Sequence, residues 1–502
     1  MQPQCVFDWP VDAVEVIQKH REFGRVGSVP EGESFLELWI RCNLKELVNY
    51  QNSYSLKRKC GIVANLGSGE LPNTFSGAVV KSNVRSERRF LYSNAGDAAS
   101  RSLADFTVDL IFVTTLGASA WQMGLLNTLG SLAFLVATIP IGYLVDRYRP
   151  LRLLRIGLAV KVALTVCLFL LTVTGTLSIG YGFLLVTILG MCNVVGETAQ
   201  VSAVPQLNAV SGAQRSSSIS ALIARLTAAD QSLAIIVPVA AGTAFTLLGA
   251  SALLTVSAVL ALIALSLACL VKLPRQDGQR REEDTGQNAE HDTHWRSGLT
   301  YLRHNRILIA VTLAMMCSNF GLALGSAVEA LFIINYLGFG AFGFGILAGL
   351  GGAGGLLGAA LATRIAVRFS TTQLTTVTMM IKLALATMVF LAAFTTPAIS
   401  MTLLAVQSVF WGVALIIFNV AVTAWVADIT PEYLLGRVSS ARRLFTFGAV
   451  PIGSLAGGAI GSAFGLPAAL ALWPLSIAVG LIGYLIVRPS KVQLEVAQVR
   501  RR

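Results

Sequence analysis

The chain has 502 residues, of which 54% are hydrophobic and 13% charged, and a formal net charge of +12. Soluble domains carry about 25% charged residues, so this composition excludes a water-soluble globule and requires lipid as solvent. An excess of positive charge would point to nucleic acid in a soluble protein. Here the basic residues are spread over turns between apolar stretches, and no nucleic-acid partner is expected.

Residues 1–87 differ in kind from the rest, with mixed charges, turn residues and two short amphipathic patterns, Val11 to Phe23 and Ser34 to Tyr50. Three readings stand open: a regulatory or partner-binding cytoplasmic appendix, a poorly ordered extension, or a start assigned too far upstream. The opening residues lack the basic start and apolar core of a cleavable signal, so the first span is expected to act as its own insertion signal.

A spanning helix needs about 20 mostly apolar residues. Such stretches lie near 90–116, 121–146, 154–176, 179–202, 219–247 and 250–272, and again near 307–335, 342–366, 372–394, 398–426, 443–464 and 467–487. Between the two sets, residues 274–293 have the polar, charge-rich composition of a linker. The expected fold is an all-α membrane protein of about twelve transmembrane helices in two six-helix bundles. The bundles would occupy 88–273 and 307–488, separated by a cytoplasmic loop at 274–306 and followed by a tail at 489–502.

Every second turn is basic: Arg147 to Arg155, Arg215, the stretch from Lys272 to Arg306, Arg364 with Arg368, Arg437 to Arg443, and the tail from Arg488. The turns near Ala118, Gly175, Gly249, Gly338, Thr396 and Gly465 carry no Lys or Arg. Positive loops stay in the cytoplasm during insertion, which places both ends of the membrane part inside. The halves also repeat in detail. Gly142 with the basic run after it matches Gly358 with Arg364 and Arg368, Pro205 and Arg215 match Pro431 and Arg437, and Pro238 with Gly242 matches Pro451 with Gly457. Parallel six-helix repeats with a site near the midplane are a transporter architecture.

Ionisable residues inside spans cost about 2.5–3.5 kcal/mol on insertion scales and are functional hypotheses by default. Asp97, Arg101, Asp105 and Asp109 recur every four residues along the first span, on one stripe whose members are within pairing reach. Arg101 can form an ion pair with Asp97 or Asp105, and Asp105 can carry a proton. Asp230, Asn319, Glu329 and Lys382 are further in-span candidates, while Lys161, Glu197 and Arg225 lie close enough to the cytoplasmic interface to snorkel. All four His residues fall outside the predicted spans, so proton coupling is expected to rest on carboxylates, in the order Asp105, Asp230, Glu197, Glu329. Asp97, Arg101, Asp109, Asn319 and Lys382 would form ion pairs or line the cavity. The seven Cys residues show no paired spacing, and no phosphate-binding loop occurs. Neither a metal, a cofactor nor ATP-driven transport is expected. Phe320, Phe332, Phe342, Phe344, Trp411 and Phe418 in the more apolar second half supply either core packing or substrate surface.

The turn after the second span, Gly142-Tyr-Leu-Val-Asp146-Arg147-Tyr-Arg149-Pro-Leu-Arg152, resembles the signature loop of the major facilitator superfamily. With Gly96-Asp97, the segment Glu197 to Leu207, the helix Trp295 to Arg303 and Gly436 to Ser439, the match covers Phe90 to Pro489. It is most similar to the drug:proton antiporter branch of macrolide efflux pumps and the enterobactin exporter. The resemblance implies that Gly142, Asp146 and Arg147 control closing of an inner gate. Pro150 and Leu151 stand where the family usually has basic residues, and Arg149 or Arg152 could substitute. The fifth span keeps Pro238 of the antiporter signature but has Val237 before it, and the family's Arg in the fourth span is absent.

The expected function is therefore secondary active transport in the plasma (inner) membrane, without enzymatic activity. The favoured form is proton-coupled efflux of a small amphipathic molecule by alternating access. Its partners would be the substrate, protons and the bilayer. The alternatives are a proton-coupled importer and a non-transporting membrane sensor or scaffold.

Overall fold

The computed structural model describes residues 74–207, 213–271 and 295–487, and all of it is helical apart from short turns. The chain divides after Gly77 into two units. Of the first, only 74–77, the opening turn of a helix, are described. The amphipathic patterns expected at Val11 to Phe23 and Ser34 to Tyr50, the linker at 274–293 and the tail lie outside the described residues.

In chain order the helices are α1 (Thr74–Leu110), α2 (Ala120–Arg147), α3 (Pro150–Val173), α4 (Ile179–Leu207), α5 (Ala213–Leu270), α6 (Trp295–His304), α7 (Arg306–Leu331), α8 (Gly340–Arg368), α9 (Thr371–Ala392), α10 (Pro397–Ile429), α11 (Glu432–Phe464) and α12 (Leu466–Val487). Local chemistry sets many of the ends. Ser119 and Gln122 close a reciprocal capping box on α2, as Ser370 and Gln373 do on α9, and Asn305 accepts from the Ile307 and Leu308 amides of α7. Pro150 and Pro397 stand in the first turns of α3 and α10, where a missing N–H costs nothing. The arginines of the early turns also work as caps. Arg155 donates to the carbonyls of Ala268 (3.1 Å) and Val271 (2.9 Å), and Arg89 to that of Leu270 (3.0 Å). They thereby meet orphan carbonyls at the negative end of α5.

Ten stretches among the described residues are long and apolar enough to cross a membrane. One of them, Arg225–Leu270, has 46 residues, about 69 Å of helix at 1.5 Å per residue, more than twice the hydrocarbon thickness. It breaks at Gly249, whose φ of 77° and ψ of 175° lie outside the helical region. Helix α1 is not one of the ten, because Asp97, Arg101, Asp105 and Asp109 dilute its apolar content. Helix α6 is short and amphipathic. It packs on the start of α11, with Gly298 against the Arg437 backbone and the Tyr301 hydroxyl donating to the Ile429 carbonyl at 3.1 Å.

The twofold sequence repeat is visible in the backbone. Helix α1 continues into a π-turn at Ile111–Thr115 and α7 into another at Phe332–Tyr336, positions that differ by 221 in the numbering. Every left-handed glycine (Gly117, Gly175, Gly249, Gly338, Gly340, Gly465) sits in a turn without Lys or Arg. Seven residues from Gly117, Gly465, Gly249 and Gly338 lie Gly124, Gly458, Gly242 and Gly345 respectively. At these four glycines the two halves touch. A Cβ on Gly124 would stand 2.6 Å from the Gly458 Cα, and one on Gly242 would stand 2.8 Å from the Gly345 Cα. The halves therefore cross backbone to backbone twice, α2 on α11 and α5 on α8, about 10 Å in from the face bearing the bare turns. The Phe106 and Phe344 rings stack between them at 5.1 Å, and Thr128 donates to the Pro451 carbonyl across the same crossing. This corrects one sequence correspondence: the counterpart of Gly242 at the crossing is Gly458, because Gly457 faces Leu324 within its own half.

Backbone atoms cannot yield as a rotamer can, so Gly124→Val should force the α2–α11 crossing apart at an overpacking cost of about 1–3 kcal/mol. A cysteine pair at Ala120 and Gly461, whose Cβ atoms would be 3.1 Å apart, should crosslink on oxidation and hold the halves together after cleavage in the central linker. Adding Gly124→Val should cut that yield about tenfold. An undiminished yield would show that the crossing is not tight.

Candidate functional site

The stripe on α1 turns into the first half, but its charges pair across helices and not along the stripe. Asp97 is 1% exposed. Its Oδ1 accepts from the Lys161 Nζ of α3 at 2.5 Å, and its Oδ2 accepts from Gln200 Nε2 of α4 at 3.2 Å. Gly196 lies beside it, where a Cβ would stand at ordinary van der Waals distance, 3.5 Å, from Oδ2. One turn on, Arg101 reaches Glu197 of α4 at 2.5 Å. Asn94 donates to Asp230 of α5 at 2.9 Å, while Ser93 and Ser100 bond backbone carbonyls of the limb of α5 beyond Gly249. Helix α1 is thus fastened to α3, α4 and both limbs of α5 by polar contacts as well as by apolar packing.

Two expectations need correction. Arg101 does not bridge Asp97 and Asp105, because Glu197 lies on the facing helix. Lys161 does not snorkel, since its side chain is 5% exposed and its charge is neutralised by Asp97. Arg225, by contrast, is 62% exposed and pairs with Glu87 at 3.3 Å, as a surface residue would.

Asp105 and Asp109 have no hydrogen bond or ion pair among the described residues. With Arg101, Glu197, Asn127 and Asn193 they line a cavity of about 370 Å3 between α1, α2 and α4. Asp105 is exposed to this cavity and Asp109 is half-buried. The Oδ1 of Asn193 is buried without a partner, so the wall offers hydrogen-bond acceptors in excess of donors. Glu329, one turn before the π-turn of α7, is half-buried and also unpartnered. It is close enough to Asp109 to interact electrostatically, although the two belong to different halves. The structure therefore gathers Asp97, Arg101, Asp105, Asp109, Glu197 and Asp230 around one helix and brings Glu329 to its edge.

The remaining candidates lie elsewhere. Asn319 donates to the Thr446 carbonyl at 3.0 Å and joins α7 to α11. Lys382 is enclosed in the second half beside Ser318. In the turn between α2 and α3, Arg149 and Arg152 are exposed, Arg147 is 3.4 Å from the Tyr143 hydroxyl, and the side chains of Gly142 and Asp146 lie outside those described. The aromatic residues of the second half do not form one surface: Phe332 and Phe418 are core, Phe342 is half exposed, and Phe320 faces a separate apolar hollow of about 650 Å3 between α7, α11 and α12. Sequence reasoning missed Gln200, Asn94 and Asn193. Each is an uncharged amide within an apolar stretch, and that was the available signal.

Among curated proteins none matches this sequence. Solved structures match its fold. A nucleoside transporter (NupG, D323A mutant) superposes with a TM-score of 0.65 at 12% identity, covering 80% of this chain and 100% of its own. A bacterial homologue of the human lysosomal transporter Spinster, solved in an inward-facing and unoccupied conformation, gives 0.59 at 15% identity, covering 81% and 95%. A bacterial metal transporter gives 0.56 at 13% identity, covering 80% and 97%. The sequence model of the Major Facilitator Superfamily matches residues 91–448. The chain, with its repeated halves and its polar cavity in a bed of apolar helices, is a multi-pass membrane transporter and not an enzyme, and it belongs to the Major Facilitator Superfamily.

Proposed function

We propose that this protein is a proton-coupled exporter of a small amphipathic molecule, of the drug:proton antiporter type, working by alternating access in the plasma membrane. The observation that carries the reading is Asp105, a carboxyl without a hydrogen bond or ion pair among the described residues that is exposed to the cavity between α1, α2 and α4. Counting α1 and the two limbs of α5 on either side of Gly249 brings the spans to twelve, with six helices at 88–273 and six at 307–488. The basic turns then face the cytoplasm, the glycine crossings close the outer side, and the cavity is reached from within. Protons would exchange at Asp105. Asp230 and Glu197 would follow it less readily, being held by Asn94 and Arg101, and Glu329 would sense closure from the opposite half. Gly142, Asp146, Arg147, Arg149 and Arg152 would form the inner gating loop, and Asp97 with Lys161 would anchor α1 without carrying protons.

In inverted vesicles with an acidified lumen, an exporter accumulates amphipathic fluorescent dyes, an importer does not, and a scaffold shows no dye-dependent proton flux. Asp105→Asn should abolish the accumulation at unchanged expression, and normal gradient-driven uptake by that variant would remove Asp105 from the mechanism. Losing one partner of a buried pair costs about 3–5 kcal/mol, so Asp97→Asn and Lys161→Met should each lower thermal stability, and the double variant should recover most of the loss. Single variants as stable as the parent would leave the pair without an anchoring role. A cysteine at Gly175 should react with an impermeant thiol reagent only from outside the cell, and labelling from inside alone would reverse the topology.

A further inference from the structure

The repeat that relates the two halves places a lysine at the same point in each, Lys161 in α3 and Lys382 in α9, and 64 residues before each lies its polar partner. In the first half that partner is Asp97. In the second it is Ser318, a hydroxyl with no charge. The Phe418 ring centroid lies 4.7 Å from the Lys382 Nζ. The Trp411 ring lies 5.0 Å away on α10. Lys382 and Ser318 are each 1% exposed, and no carboxylate among the described residues pairs with the ammonium.

A second donor without an acceptor stands close by. Trp473 of α12 is 2% exposed, its Nε1 has no partner, and its ring meets that of Trp411 edge to face at 4.9 Å. The Cδ1 edge of the same indole, next to Nε1, packs on Gly321, one turn along α7 from Ser318. The centre of the second half thus collects an ammonium, a hydroxyl and an indole N–H, and among the described residues the ammonium is met by the Ser318 oxygen and two aromatic faces but by no negative charge. Cation–π contact offsets only part of the cost of burying an ammonium. The negative charge that Asp97 provides in the first half has no equivalent within the second.

We infer that the second half binds a small monovalent anion of chloride size between Lys382, Ser318 and the Trp473 indole, where it stands in for the carboxylate of Asp97. The ion would be structural, holding α7 to α9 as the Asp97–Lys161 pair holds α1 to α3, and it does not depend on the direction or the substrate of transport. Its recognition follows from the donors: all three groups can donate a hydrogen bond, and all three are buried.

The test is thermal unfolding of the purified full chain in detergent, with sodium chloride replaced by sodium gluconate at constant ionic strength. In the parent, the unfolding midpoint should rise saturably with chloride, by about 1 °C for each tenfold increase above half-saturation, and bromide should substitute. Ser318→Asp supplies the charge from the protein, so its midpoint should be high and independent of chloride. Lys382→Met removes the need for the charge and should also be independent of it. An indifferent parent midpoint would overturn the inference, as would a chloride response of parental size in either variant. The readout involves no transport, so its failure leaves the exporter reading untouched, and the reverse holds as well.

Discussion

A charge carried into a bilayer has to be met by protein, and the contact of Asp97 with Lys161 is where the first half of this molecule meets that demand. Both groups are nearly sealed from solvent, where electrostatic interactions are strong because the surroundings polarise little. Once that pair and the Gln200 amide hold α1 in place, the next turns of the same helix are presented to the cavity with their carboxyls free. Arg101 is drawn to Glu197, and Asp105 and Asp109 are left facing the hollow. One satisfied acid therefore sets the register in which two unsatisfied ones become available for chemistry.

The same economy of contact appears where the halves meet. Glycines let α2 cross α11 and α5 cross α8 at backbone distance, and close approach of this kind substitutes in membranes for the missing hydrophobic drive between helices. The two crossings are related by the repeat and stand equally far from the bare turns, so they form a matched pair near one face. Within each half the helices are also tied by buried polar bonds such as Ser100 with Ser257 and Ser476 with the Cys317 carbonyl.

Evolution of the repeat has left the halves chemically unequal. The first keeps its charges paired or open to the cavity, while the second replaces carboxylate by hydroxyl and adds aromatic rings around Lys382.

Class, membrane setting and the repeated plan were legible from composition, from the spacing of apolar stretches and from the alternation of basic turns, because these properties are local and insertion reads them one segment at a time. The turns at Gly175, Gly249, Gly338 and Gly465 appear in the structure where the sequence places them, each with a left-handed glycine. Which acid met which base was not legible. The spacing of Asp97, Arg101 and Asp105 advertised neighbours on one helix, whereas the partners Lys161 and Glu197 come from helices that only packing brings near. The seam of glycines at the crossing, the free state of Asp105 and the uncompensated charge of Lys382 were likewise decided by tertiary structure, because each depends on what a second helix presents at a given height and angle.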